Sequence, residues 1–346
     1  VTAFSPCNDL LAAAQWLLFN RKIEQTEITQ PPVFILGHWR SGTTLLHELL
    51  VRDPRFASPN TFQCFAPSHF LVSQALMTRF GNFLIPEKRP MDEMAAGWEL
   101  PQEDEFALMN LGAPTPYLRI AFPQTQPLAL EYLDMQGLSA AERERWRAKL
   151  LWFIKVLTYH YGDKRLVLKS PPHTGRIREL LELFPGATFI HLSRDPCKLY
   201  PSTIRLWRAL DEVQGLQPTS DEPVMGEYVT ECLKRMYRGF EDGRPLIPEG
   251  QFAQVSYEEL VAEPMETVES LYRQLNLGDF EQVRPELEQR LSGHSSYKTN
   301  RHDIGSQLAE EIMQRWPEYA AQFGYASQTA SPANAVDDQA SLEKQE

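Results

Sequence analysis

The chain has no apolar run approaching the ~20 residues that a membrane-spanning helix needs, no CxxC or Cys/His ligand cluster, and no excess of basic side chains. Each absence removes a class of function. Cys7, Cys64, Cys197 and Cys232 are scattered, which argues against a disulfide framework and a structural zinc site and makes a reducing cytoplasm the expected setting. With 46 Asp and Glu against 34 Lys and Arg, the formal net charge is −12. That balance opposes a nucleic-acid surface, while a local basic pocket for a small polyanion stays compatible with it. No internal repeat is present, and the start at Val1 leaves a preceding targeting segment open. What remains is a 346-residue chain, 42% hydrophobic and 23% charged, with the composition of a globular protein.

Short apolar runs alternate with helical stripes. Val33-Phe34-Ile35-Leu36 is continuously apolar and ends at a glycine, as for a parallel strand covered on both faces. A helix is expected over 43–51, and the stretch 6–29 carries a helical stripe stopped by Pro31-Pro32. Ser139 with Glu142 makes a capping box ahead of Trp146, Leu150, Phe153 and Leu157, and this helix closes at Gly162. Leu166-Val167-Leu168, the stripe Ile177, Leu180, Leu181, Phe184, and Thr188 to Leu192 continue as strand, helix, strand. Phe252 to Ser256 adds a strand and Met265, Val268, Tyr272, Leu275 a helix after Pro264. This order predicts a three-layer α/β/α fold with a central parallel sheet and a ligand site beyond the carboxyl ends of the strands. Residues 1–326 read as one domain. Segment 55–137, rich in proline and aromatics, reads as a helical insertion covering the site, and 327–346 as a disordered tail.

Between the first strand and its helix stands Gly37-His38-Trp39-Arg40-Ser41-Gly42-Thr43-Thr44. Backbone N–H groups and the helix dipole favour an anion there. The spacing is that of GxxxxGK[ST] with Thr43 in place of the lysine, so the usual cation for a β/γ-phosphate is absent and Arg40 is the substitute. This loop resembles the 5′-phosphosulfate-binding loop of sulfotransferases that use 3′-phosphoadenosine 5′-phosphosulfate (PAPS), a family that shares the P-loop nucleotidase-like architecture without the kinase lysine. Phe189-Ile190-His191-Leu192-Ser193-Arg194-Asp195-Pro196, with Ser202 eight residues after Arg194, is similar to the family's element for the 3′-phosphate. Asp195-Pro196 would also simply start a helix. Val255-Ser256-Tyr257-Glu258-Glu259-Leu260 resembles the segment near the adenine, and Tyr297-Lys298-Thr299-Asn300-Arg301 the late basic loop. As ordinary residues, Tyr257 would pack in the core and Lys298 with Arg301 would be solvated.

The resemblance implies sulfuryl transfer from PAPS to a hydroxyl, with adenosine 3′,5′-bisphosphate as product and no metal. The cofactor set is His38, Trp39, Arg40, Ser41, Gly42, Thr43, Thr44, Arg194, Ser202, Tyr257, Tyr297, Lys298 and Arg301. Many members carry lysine where Arg40 stands, so Arg40 is assigned an electrostatic role in catalysis. Leu168-Lys169-Ser170-Pro171-Pro172-His173 lies at a strand's carboxyl end. It offers Lys169 to the transferred group and His173 as a base, with a Pro-Pro spacing unlike the Lys-Thr-His version of relatives. The rival bases sit in a run where residues 91–105 hold six acids and no basic residue. Glu105 and Glu103 lead there, since clustered acids raise one another's pKa. A helix starting at Pro101 would equally explain these acids. His47 reads as a packing residue.

Phe62, Phe65, Phe70, Leu71, Leu76, Met77, Phe80, Phe83 and Leu84 suit an apolar, lipid-like acceptor, with peripheral membrane contact left open, or form ordinary helical packing. Two other readings remain at this level: a P-loop kinase, which would want lysine at position 43, and a catalytically silent nucleotide-binding protein of the same fold.

Overall fold

The computed structural model describes residues 5–81, 96–292 and 305–326. In chain order the elements are α1 (Ser5–Glu24), β1 (Val33–Leu36), α2 (Thr43–Leu50), β2 (Phe56–Ala57), α3 (Thr61–Phe65), α4 (Phe70–Phe80), α5 (Asp104–Asn110) and α6 (Leu118–Ala121). Then come α7 (Ala140–Tyr161), β3 (Arg165–Lys169), α8 (Ile177–Leu183), β4 (Thr188–Ser193), α9 (Pro196–Gln214), α10 (Glu222–Gly243) and β5 (Phe252–Ser256). The last are α11 (Tyr257–Ala262), α12 (Pro264–Leu275), α13 (Arg284–Ser292), α14 (Ser306–Arg315) and α15 (Pro317–Gln322).

The strands form one parallel sheet in the order β2-β3-β1-β4-β5. Alternate residues of β1 supply two different cores, because successive side chains of a strand point to opposite faces. Phe34 and Leu36 pack with Leu168, Phe189 and the α7 residues Trp146, Leu150 and Phe153. Val33 and Ile35 pack with Val167, Ile190, Leu46 of α2 and Val268 of α12. Coverage of both faces is why these strands read as unbroken apolar runs. The predicted three-layer fold is therefore the observed one.

Local signals explain the helix ends. Both hydrogen bonds of the Ser139/Glu142 capping box form, and α7 stops at Gly162 with φ 68°. Asp195 caps α9 by accepting from the Cys197 N–H at 2.9 Å, with Pro196 as first helical residue. Three expectations shift. α1 ends at Glu24, before Pro31-Pro32. Pro101 does not start a helix; it bridges to Asn60, and α5 begins at Asp104 with Glu103 as its N-cap. The segment beginning at residue 55 contributes an edge strand, β2, paired with β3. Tyr297, Lys298, Arg301, Phe83, Leu84 and the tail from residue 327 lie outside the described residues.

All five strands run the same way, so their carboxyl ends share one edge. The chain adds β2 and β3 on one side of β1 and β4 and β5 on the other. Strand order thus reverses at β1, and the crevice beyond β1, between the ends of β3 and β4, is where such sheets bind ligands.

Candidate active site

The loop after β1 is shaped by two glycines. At Gly37 (φ 145°) a Cβ would lie 2.7 Å from the Leu192 carbonyl oxygen, and at Gly42 (φ 98°) it would collide with the Tyr257 ring. The loop is held against β4 and the start of α11 at distances only glycine allows. Arg40 itself is left-handed, φ 69°, a conformation that costs a non-glycine residue energy and concentrates at functional sites. The Gly37 N–H donates to Thr174 Oγ1 at 2.7 Å, tying the loop to the turn after β3.

Three arginines and a serine meet beside this loop. Arg40 Nε donates to Ser202 Oγ at 3.1 Å, and Arg194 donates to the Arg40 carbonyl at 2.6 Å. The Arg194 guanidinium lies 4.1 Å from the centre of the Tyr257 ring, and its Nε is buried with no hydrogen-bond partner among the described residues. Arg205, one turn after Ser202 on α9, joins them. Its pKa is lowered by burial and then by the charges of Arg40 and Arg194. Like charges gathered around an unsatisfied donor fit a ligand with more than one phosphate. Tyr319 secures the Arg194 backbone from the far side, accepting from its N–H and donating to its carbonyl, each at 2.9 Å. Arg205 and Tyr319 were not picked out in the sequence; the spacing Ser202 to Arg205, one helical turn, was the available signal for the first.

Other loop residues turn inward. His38 is fully buried, its Nδ1 against the Trp39 carbonyl at 3.0 Å, and burial pushes its pKa down to about 4. The Trp39 indole packs between Trp207 and Tyr117 and donates to the Tyr117 hydroxyl at 3.0 Å. These two side chains build the wall, leaving the backbone of 38–44 as the surface a phosphate would meet. Ser41 and Thr43 are buried in the turn, and Thr44 Oγ1 lies 3.5 Å from Lys169 Nζ. His47, on α2, is buried, as the packing reading expected, with its pKa lowered to about 3 by burial and then by the charge of Lys169.

At the end of β3, Lys169 Nζ is 2.6 Å from Glu103 Oε1. The other Glu103 oxygen accepts a hydrogen bond from the Tyr117 hydroxyl. Burial, then the negative charge of Glu103, raise the Tyr117 pKa well above its usual value, so Tyr117 remains a donor. Phe106 packs edge-on against Tyr117 at 5.0 Å and stacks on Phe65 at 5.4 Å. Phe65 is half exposed. A row of packed aromatic rings thus leads from the half-exposed Phe65 through Phe106 to Tyr117, the partner of the Glu103 carboxylate.

His173 and Glu105 do not reach this crevice. Both are fully buried. His173 Nε2 contacts Asp104 Oδ2 at 2.6 Å, and its ring lies edge-on to Phe34 and Trp146. Glu105 is clamped by Arg176 at 2.5 and 3.0 Å and accepts from Thr115. Burial alone would raise the Asp104 pKa, but the positive charge and hydrogen bond of His173, with that of Ser170, hold it below the usual range. The acidic run therefore splits by helical position. Asp104 and Glu105 point into the core, against His173 and Arg176, and Glu103, at the N-cap, points to the crevice.

Comparison with known proteins agrees with this geometry. Residues 31–282 match the sequence profile of the sulfotransferase family. The chain is 41% identical over 336 residues to proteins named omega-hydroxy-beta-dihydromenaquinone-9 sulfotransferase Stf3, from Mycobacterium bovis and from Mycobacterium tuberculosis. Each alignment covers 96% of this chain and 85% of the relative. Among solved structures, sulfotransferase STF9 from Mycobacterium avium superposes with a TM-score of 0.66 at 21% identity, covering 91% of this chain and 81% of that one. Sulfotransferase STF1 from Mycobacterium tuberculosis H37Rv gives 0.62 at 18%, covering 89% and 82%. These structures share the fold. Members of the family take their sulfuryl group from PAPS and release adenosine 3′,5′-bisphosphate. A strand-to-helix loop with the P-loop spacing but without the kinase lysine, an arginine cluster at the switch point of the sheet and a profile match across most of the chain leave one conclusion: the chain belongs to the sulfotransferase family and is a PAPS-dependent sulfotransferase.

Proposed function

We propose that the acceptor is a lipid-like alcohol of the kind named for the Stf3 relatives, an ω-hydroxylated menaquinone, and that Glu103 takes its proton. The observation that carries this reading is the Glu103 carboxylate. Of the acids weighed as bases it alone lies in the crevice, between Lys169 and Tyr117, beside the packed rings of Phe65 and Phe106. His173 and Glu105 are reassigned to holding α5 in place. Glu105 is paired with the buried Arg176 and His173 is hydrogen-bonded to the buried Asp104, and neither has access to an acceptor.

PAPS, when bound, supplies the electrophilic sulfuryl group. The backbone of 38–44 with Arg40 would hold its 5′ end, and Arg194, Ser202 and Arg205 its 3′-phosphate, with the Tyr257 ring beside them. Tyr297, Lys298 and Arg301 stay in the proposed set on sequence grounds. Lys169 has two tasks. Before the donor arrives it neutralises Glu103. In the transfer its ammonium serves charge developing on the sulfuryl oxygens, which releases Glu103 to accept the acceptor's hydroxyl proton. Tyr117, fixed by Trp39, keeps the carboxylate aimed during that exchange. Lys169 and Arg40 supply the positive charge, and metal-free operation is part of the proposal. A catalytically silent protein would have no need of this Lys169-Glu103-Tyr117 arrangement. A kinase would need a cation at Thr43.

Adenosine 3′,5′-bisphosphate is expected to raise the melting temperature, with ATP and magnesium giving a much smaller shift. Arg194→Ala should weaken bisphosphate binding by ~1.5–3 kcal/mol, the worth of hydrogen bonds to a charged group, without altering acceptor affinity. Isothermal titration of the folded variant checks this. An unchanged dissociation constant, or an equal shift by ATP, would contradict the cofactor assignment.

A further inference from the structure

α1 is apolar on two opposite faces. Leu11, Gln15, Phe19 and Ile23 recur at helical spacing on its inner side, where Gln15 and Ile23 are buried and Phe19 packs on Tyr159 at 5.9 Å. On the outer side Leu10 is 73% exposed, Leu17 74% and Leu18 63%, with Ala14 between them and Arg21 one turn beyond Leu17. A helix apolar all round is ordinarily enclosed, and a run of large aliphatics facing outward marks a contact surface.

We infer that this outer face of α1 docks on an anionic lipid bilayer. The charges beside it select that occupant. Arg21 lies in the last turn of α1, one turn beyond Leu17 on the leucine face and ahead of the final residue Glu24, placed for its stem to lie along apolar surface and its head to reach phosphates. Lys22, in the same turn, has its Nζ over the Phe19 ring at 5.9 Å. Trp16, 62% exposed, is the residue type that settles at the headgroup level. The neighbouring α4 repeats the pattern, with Leu76 and Phe80 exposed and Arg79 between them. The whole chain carries a net charge of −12, whereas α1 balances Arg21 and Lys22 against Asp9 and Glu24, so an anionic surface repels the rest of the molecule and approach by this face is the least opposed.

Trp16 also borders a cavity of about 630 Å³ between α1 and α7, walled by Trp152 and edged by Arg145 and Lys149. The buried Gln15 lines it with a side-chain nitrogen that has no partner among the described residues. Leu111, which borders the cavity, follows the C-terminus of α5, whose N-cap is Glu103. Seven residues of helix span about 10 Å, which is the separation between this inner-side cavity and the N-cap Glu103 at the two ends of α5. This inference extends the acceptor reading by naming where the acceptor's own solvent would sit.

The test is co-sedimentation with vesicles of phosphatidylcholine containing about one third phosphatidylglycerol, without donor or acceptor. Wild-type protein is expected to bind. Leu10→Ser with Leu17→Ser should weaken binding at least about tenfold, and Arg21→Glu with Lys22→Glu should abolish the preference for anionic over neutral vesicles. Because these positions are exposed, folding should be retained, checked by the bisphosphate melting shift. Wild-type protein that does not sediment, or variants that bind equally well, would overturn the inference. A wild-type dimer that the leucine substitutions dissociate would instead assign the face to a second copy of the chain. Turnover of an acceptor in detergent is read separately, so failed docking leaves the transfer chemistry standing and failed transfer leaves the docking standing.

Discussion

Glu103→Gln is expected to lower kcat by about 10²–10⁴-fold, the usual contribution of a general base, while adenosine 3′,5′-bisphosphate binds as it does to the wild type. The amide keeps the shape and can still hydrogen-bond Tyr117, but it cannot accept the acceptor's proton. Glu105→Gln should behave in the opposite way. It leaves the fully buried Arg176 without its counter-charge, which costs about 3–5 kcal/mol of stability, and the folded fraction should still transfer sulfuryl at a rate near wild type. His173→Ala belongs with Glu105→Gln, since His173 meets Asp104 rather than the crevice. Steady-state kinetics at saturating donor, with urea unfolding of each variant, separates the two classes. A collapse of kcat in His173→Ala or Glu105→Gln at unchanged stability would move the base away from Glu103.

Acidification should destabilise the protein well above the carboxylate range. Burial lowers the pKa of His38 to about 4 and those of His47 and His191 to about 3. In the unfolded chain each histidine takes up its proton near pH ~6.5. Below that pH the unfolded state binds more protons than the folded state, so the stabilisation is complete above pH ~6.5 and is lost as the pH falls toward about 4. At about 1.4 kcal/mol per pH unit, a fall to about pH 5 removes roughly 2 kcal/mol per histidine, or about 6 kcal/mol for the three. Urea unfolding at pH 7 and pH 5 measures it. His191→Phe, placed among Tyr237, Phe240 and Phe323, should reduce the pH dependence by about 2 kcal/mol. A flat profile would mean that these histidines are not held neutral in the interior.

The sheet was legible because its strands are covered on both faces. Val33 to Leu36 and Thr188 to Leu192 show unbroken apolar runs, and the helices between them carry caps and stripes that match the observed ends closely. β2 escaped because Phe56-Ala57 is too short to show a period. The loop and the Arg194 element were legible because the role proposed for them depends on local spacing, a strand end followed by a helix start. The proposed base was not. Glu103, Asp104 and Glu105 are consecutive, and their composition is the same whichever faces the crevice. Their fates follow from partners far along the chain: Lys169 for Glu103, His173 for Asp104 and Arg176 for Glu105. Tyr117 was missed for the same reason, since it matters through neighbours that only the fold supplies, whereas Arg205 was within reach of the one-turn spacing from Ser202. On α1 the apolar pattern was visible in the sequence, but which side of it faces solvent became apparent only once α4 and α7 had packed against the other.

The most direct test is transfer of labelled sulfate from PAPS to an ω-hydroxylated dihydromenaquinone presented in detergent. Wild-type protein is expected to form the sulfated quinone and an equal amount of adenosine 3′,5′-bisphosphate, with Glu103→Gln binding the donor but forming little product. Failure of the wild-type protein to form any sulfated product from this or other hydroxylated lipids, with phosphoryl transfer from ATP in its place, would contradict the account.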